Sequence, residues 1–206
     1  MRNRTISIAL ILVLLLGLLT GCSSKEGKNS AQTTSLHVVI ATPYATEEHA
    51  EALREALLTA VPELDSADAP LSVTAVSTGD TAGDPMGAMA GMTKVSAMMM
   101  SHEMELLLCD SDNARRHGDN GETYIPLSEL FTEAEIAELG IVPATLPLLD
   151  DEANYTGEYS TPCGADLSGS SELNRILAIS DLGAYVIVDS PNTENAKAAI
   201  KALLDM

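Results

Sequence analysis

Tryptophan is absent from this sequence and Phe131 is its one phenylalanine. Surfaces that hold sugars by stacking need exposed aromatic platforms. Only Tyr44, Tyr124, Tyr155, Tyr159 and Tyr185 could supply them, which argues against a sugar-stacking module. Positive charge is scarce as well: 11 Lys and Arg stand against 30 Asp and Glu, a formal net charge of −19. A nucleic-acid binder must neutralise phosphates with Lys and Arg, so no nucleic-acid partner is expected. Anionic headgroups would repel the folded part, and the acidity is read as a solubility device. Cysteine is limited to Cys22, Cys109 and Cys163. Cys109 ends an apolar run, so a buried free thiol and a Cys109–Cys163 bridge are both open on sequence alone.

Catalytic motifs are missing too. His102-Glu103-Met104-Glu105 lacks the second His of H-E-x-x-H. Residues 110–121 fail the EF-hand pattern: Ala114 and Arg115 stand where a ligand and a Gly are needed, and Gly121 where Glu is needed. No G-x-S-x-G elbow occurs, and Cys163 has no assignable base. The expectation is a protein that is not an enzyme and uses neither metal nor cofactor.

What is present begins at the N-terminus. Arg2 and Arg4 precede an apolar run, 6–19, relieved only by Ser7 and Gly17. A basic n-region, an apolar h-region and small residues beyond it describe a secretory signal peptide. The run is shorter than the roughly 20 residues of a membrane span. Leu19-Thr20-Gly21-Cys22 resembles the lipobox of bacterial lipoproteins. That resemblance implies export, cleavage before Cys22, and lipid on the Cys22 thiol, with the membrane as partner and the extracytoplasmic face of the cell membrane as location. Several acyl chains would give stable anchoring. Residues 1–21 are then the signal peptide. Residues 22–35, polar and low in complexity, form a flexible tether. Residues 36–206 have the length of one domain with one core.

Within 36–206, residues 36–41 are β-branched and apolar and read as a buried strand. Thr46 caps a helix whose apolar positions, Ala50, Leu53, Ala56, Leu57, Ala60 and Val61, recur at helical spacing up to Pro62. Residues 71–76 read as a second strand, about 85–102 as a helix, and 104–109 as a third strand. Asp110-Ser111-Asp112-Asn113 reads as a polar turn after it. Continuous apolar strands separated by helices predict an α/β domain with a mostly parallel sheet and helices on both faces. Farther on, Asp119-Asn120-Gly121 is a turn and Thr132 to Glu135 is a capping box. Gly140 stops that helix. Residues 141–149 and a piece around Tyr159 are extended, 183–188 is a strand, and 194–204 an amphipathic helix.

The order of these segments resembles the solute-binding lipoproteins of bacterial ABC importers, family 1, with the type II periplasmic-binding fold. The likeness rests on residues 36–60, on 94–110 with its acidic-ended strand from His102 to Asp110, on 126–140, and on Val188-Asp189-Ser190-Pro191-Asn192-Thr193-Glu194-Asn195-Ala196. A full binding protein has two lobes, and 141–183 is too short to hold a second. The resemblance therefore implies a relative of one lobe without clamshell capture, recognising a small molecule or a protein partner at the strand ends.

Ligands of open α/β sheets bind beyond the carboxyl ends of the strands. That rule points to Thr42, Pro43 and Tyr44, to Thr78, Gly79 and Asp80, and to Asp110 and Ser111. The same residues also serve ordinary turns, and Asp110 also suits a helix cap. Met86, Met89 and Met92, three apart, share one helix edge. Thioethers select Cu(I), whereas the plainer reading is a helix packed through adaptable Met side chains. Three functions follow as expectations: a solute-binding module, an envelope lipoprotein that binds protein and no small ligand, and an extracytoplasmic copper binder.

Overall fold

The computed structural model describes residues 35–79, 83–150, 152–179 and 181–206. The expected signal peptide, Cys22 and nearly all of the expected tether lie outside the described residues, as does Asp80.

The apolar run at the start of the domain forms strand β1, Leu36–Thr42. It is apolar throughout because both its faces are covered. Leu36, Val38 and Ile40 enter one core cluster, while Val39 and Ala41 enter another on the opposite face. Helix α1, Glu47–Ala60, follows, with the Thr46 hydroxyl accepting from the His49 N–H at 3.3 Å. Its buried residues Ala50, Leu53 and Leu57 belong to the first cluster. Strand β2, Leu71–Ser77, pairs in parallel with β1 along its whole length.

Helix α2, Pro85–Met100, is capped by the Asp84 carboxylate, which accepts from the Gly87 N–H at 3.0 Å. Val95, Met98 and Met99 carry it onto the second face. It lies so close to the end of β2 that a Cβ on Gly91 would sit 2.0 Å from the Ser77 carbonyl oxygen. Strand β3, Leu106–Cys109, completes a β-α-β-α-β unit, with β1 between β2 and β3 and both pairings parallel.

Beyond β3 the chain departs from expectation. Residues 110–113 do not form an isolated turn but open helix α3, Ser111–His117, whose cap is Asp110. Short helices α4, Leu127–Leu130, and α5, Glu133–Glu138, follow, and the expected capping box of Thr132 and Glu135 is formed. Strands β4, Val142–Ala144, and β5, Pro147–Leu149, lead to β6, Tyr155–Tyr159. Strand β7, Gly164–Asp166, helix α6, Ser171–Leu177, strand β8, Gly183–Val186, and helix α7, Thr193–Leu204, complete the described chain.

The fold is a single α/β domain around a six-stranded sheet of order β2-β1-β3-β8-β7-β4. The sheet is mixed, which corrects the expectation of a mostly parallel one. Strand β8 runs antiparallel to β3, β7 antiparallel to β8, and β4 antiparallel to β7. A continuous apolar run reports burial on two faces and carries no record of direction. Residues 183–186 are as buried as β1 yet enter the sheet from the other end. Strands β5 and β6 form a separate antiparallel pair, and every residue of β6 is exposed. The Asn120 amide holds this hairpin by donating to the Leu149 carbonyl and accepting its N–H, at 3.2 and 3.0 Å.

Two polar links join distant segments. The buried Glu105 carboxylate accepts from the His37 N–H at 2.6 Å and from the Asn192 amide at 2.9 Å. Lys197 and Lys201 of α7 reach Glu135 of α5 at 2.8 and 3.1 Å, and both ammonium groups stand over the Phe131 ring. Cys109 and Cys163 are free, buried thiols in the second cluster, so the bridge left open by the sequence is not made. Among the described residues no helix is long and apolar enough to cross a membrane.

Candidate functional site

Three loops leave the sheet at the carboxyl ends of β1, β2 and β3, and parallel pairing sets those ends side by side. The Thr42 carbonyl accepts from the N–H of Thr78 at 3.0 Å and from that of Ala45 at 3.3 Å, which ties the first loop to the second. The Ser77 hydroxyl donates to the Pro43 carbonyl at 2.9 Å. Thr42 and Thr78 are buried, and Tyr44 stands 70% exposed above them. Gly79 adopts a φ of +67°, and a Cβ there would meet the Ala88 backbone at 2.9 Å, so glycine is required twice over.

The third loop contributes through its helix. Asp110 accepts from the Asn113 N–H at 2.8 Å as the cap of α3, and from the Asn113 side-chain amide at 2.7 Å. The same amide group donates to the Thr78 hydroxyl at 3.1 Å. Asn113 therefore joins the second loop to the third, and it is itself buried.

These residues surround two adjoining cavities. One, of about 300 Å³, is lined by Pro43, Tyr44, Thr78, Gly79, Met92, Asp110, Asp112, Asn113 and Arg116. The other, of about 250 Å³, is lined by Thr42, Pro43, Tyr44, Asp110 and three residues from the end of α6, Leu177, Ala178 and Ile179. Pro43, Tyr44 and Asp110 border both. Ala178 ends α6 in the left-handed region, φ 52°, turning the chain beside the second cavity. Each volume is near the small end of known ligand pockets.

Charge is distributed unevenly around the cleft. Asp112 holds Arg115 at 3.0 Å and Arg116 at 3.4 Å, and the hydrogen bond from Arg115 keeps its carboxyl below the usual range. Asp110 has no ion-pair partner among the described residues. Ser111 does not line either cavity. Its hydroxyl donates to Asp181 at 2.8 Å, and its N–H points to the same oxygen at 3.4 Å.

Of the expected site residues, the fold thus brings Thr42, Tyr44, Thr78, Gly79 and Asp110 to one cleft and turns Ser111 to its flank. Sequence reading missed Asp112, Asn113, Arg116 and the Leu177–Ile179 wall, and had Met92 only on the methionine edge of α2. Asn113 had a usable signal, because it stands three residues after a capping Asp. The wall had none, because it arrives from a distant part of the chain.

The methionines divide. Met98, Met99 and Met104 pack in the second cluster as the plainer reading expects. Met86 and Met89 do not pack: they are 82% and 67% exposed, because that edge of α2 faces away from the sheet. Met92 reaches the cleft, with its sulfur 4.0 Å from the Arg116 guanidinium. Among the described residues no group of three or more His, Cys, Asp or Glu side chains could hold a metal ion. Burial pushes the thiols of Cys109 and Cys163 up from their ordinary range, so neither is a poised nucleophile. A further surface groove of about 460 Å³ lies beside Glu47, Glu48, Ala50, Glu51 and Val73, and offers a ligand little beyond carboxylates.

No protein-family model, curated protein or solved structure matches this chain.

Proposed function

We propose that the chain is an extracytoplasmic lipoprotein, anchored to the cell membrane through lipid on Cys22, whose domain is a solute-binding module built like one lobe of a type II periplasmic-binding protein. One observation carries the solute-binding part: the two-chambered cleft at the carboxyl ends of the parallel strands, where open α/β sheets bind ligands. The anchor rests on the basic start, the apolar run and Leu19-Thr20-Gly21-Cys22.

A thermal-shift screen of amino acids, amines, sugars, oligopeptides and Cu(I) tests the module, because a ligand that binds only the native state raises its melting temperature. A solute hit that Asn113→Leu abolishes supports the reading. Silence for every solute class counts against it. A rise with Cu(I) alone that vanishes when Met86, Met89 and Met92 become Leu supports the copper reading instead. For the anchor, palmitate should label the parent and not Cys22→Ala, and the variant should leave the membrane fraction.

A second reading is a structural or interaction lipoprotein that binds an envelope protein and no small ligand. The exposed β5–β6 hairpin favours it, since Tyr155 and Tyr159 stand 65% and 66% exposed on a strand with one neighbour. Loss of a co-purifying envelope protein on mutation of both tyrosines to Ser, with solute binding intact, would support that role.

A further inference from the structure

Resting on the reading of the cleft as a solute site, we infer that its ligand is a small organic cation with an apolar substituent. Its ammonium would sit on Asp110 and its apolar part on Leu177, Ala178 and Ile179.

The two chambers differ in kind. One is walled by Thr78, Asn113, Asp112 and Arg116, and the other by the side chains that end α6. Asp110 stands at their junction and borders both. A carboxylate has about four lone-pair sites. Asn113 takes two at Asp110, through its N–H at 2.8 Å and its side-chain amide at 2.7 Å. The remaining lone-pair sites are left to a ligand, and no ion pair reaches this carboxylate among the described residues. The cleft's own cation does not meet that charge, because Arg116 is held by Asp112 at 3.4 Å.

An anion is disfavoured by the same geometry. Asp110 and Asp112 both line the first chamber. Two N–H groups at the start of α3 are already committed, Asn113 to Asp110 and Ser111 to Asp181. A neutral polyol would leave the Asp110 charge unmet and gain nothing from the apolar wall. An ammonium meets the carboxylate by a charge-assisted hydrogen bond, and its substituent is dried against Leu177 and Ile179. Tyr44 borders both chambers and can swing its ring over the cation.

The test uses the full chain in detergent and three probes that share one phenethyl skeleton: phenethylammonium, phenethyl alcohol and phenylacetate. Calorimetric titration gives affinity, and amide resonances of Thr78, Gly79 and Asn113 report occupancy of the cleft. Phenethylammonium should bind at least about tenfold more tightly than either counterpart, the scale of one charge-assisted hydrogen bond. Asp110→Asn should lose about tenfold for phenethylammonium; its amide oxygen still caps α3, while the bond from the Asn113 side-chain amide is lost, so a small fall in melting temperature is expected with it. If that variant loses its thermal transition, Arg116→Gln carries the test. Phenethylammonium must then bind as well or better, and phenylacetate worse.

Equal binding of the three probes, or an Asp110→Asn variant that binds like the parent, overturns the inference. In either case shifted cleft amides would leave the solute site itself standing. Absence of any shift with all three probes also overturns it, and the solute-binding reading falls as well only if the broader thermal screen is silent.

Discussion

The sheet has two unlike halves. In β2-β1-β3 the pairing is parallel, β1 and β2 run for seven residues each, and their register is unbroken. In β8-β7-β4 the pairing is antiparallel, β4 and β7 have three residues each, and an exposed hairpin stands apart. Parallel strands need crossover helices, and those helices bury the strands on both faces. Antiparallel strands need only turns, so this half closes an edge with little chain and leaves much of β4 and all of β6 to solvent. The cleft draws on both. The parallel half presents three loops in register, and α6 of the other half supplies the apolar wall. The cleft at the seam takes most of its polar lining from the parallel half and its apolar wall from the other.

The contrast can be broken by mutation. Leu108 is fully buried between β1 and β8, and Leu108→Ala should cost about 2–5 kcal/mol in urea unfolding. A loss no larger than that of a β6 variant would erase the distinction between the halves. Next comes Gly91→Ala. Intrinsic propensity alone would stabilise a helix by about 1 kcal/mol. Here the new methyl meets the Ser77 carbonyl, so a loss of about 1–3 kcal/mol is expected, with weaker binding in the cleft. A gain would show that α2 does not rest on β2 as described.

Acid should separate the halves without mutation. Hydrogen bonds from Lys197, the Thr132 N–H and Lys201 lower the Glu135 carboxyl from 4.5 to about 2. A depressed carboxylate contributes stability that is complete above its unfolded value and is lost as the pH falls through its folded one. The link between α5 and α7 should therefore weaken between pH 4.5 and 2, and Glu135→Gln should remove that part of the pH dependence. Hydrogen exchange would follow it: protection over 133–138 and 193–204 should fall before protection over 36–42. The smallest effect belongs to the hairpin, where Tyr159→Ser should change unfolding free energy by no more than about 0.5 kcal/mol.

Much of the parallel half is legible in the linear sequence. Thr46, Pro62, Asp84 and Pro85 bracket its helices by local chemistry that needs no tertiary partner. Helix α3 is not legible in the same way. Asp110-Ser111-Asp112-Asn113 has turn composition, and only Asn113 and Ala114 of the seven residues are buried, too few for a periodic signal. Strand β7 is three residues with a Gly, and α6 buries only Leu173 and Leu177, with Ile176 partly buried beside them. The expected cleft residues were found because a topological rule names loop positions, and Ser111 strayed because Asp181, seventy residues away, claims its hydroxyl.

Local chemistry alone set the helix caps, the apolar strands, the acidity, and the loops that follow three strands. These depend on neighbours within a few residues, and such neighbours are written in order. Strand direction in the second half, the partnering of each carboxylate, and the wall that makes the cleft two-sided depend on contacts across the sheet. Burial on two faces looks the same from either direction of the chain, so only the folded packing could decide them.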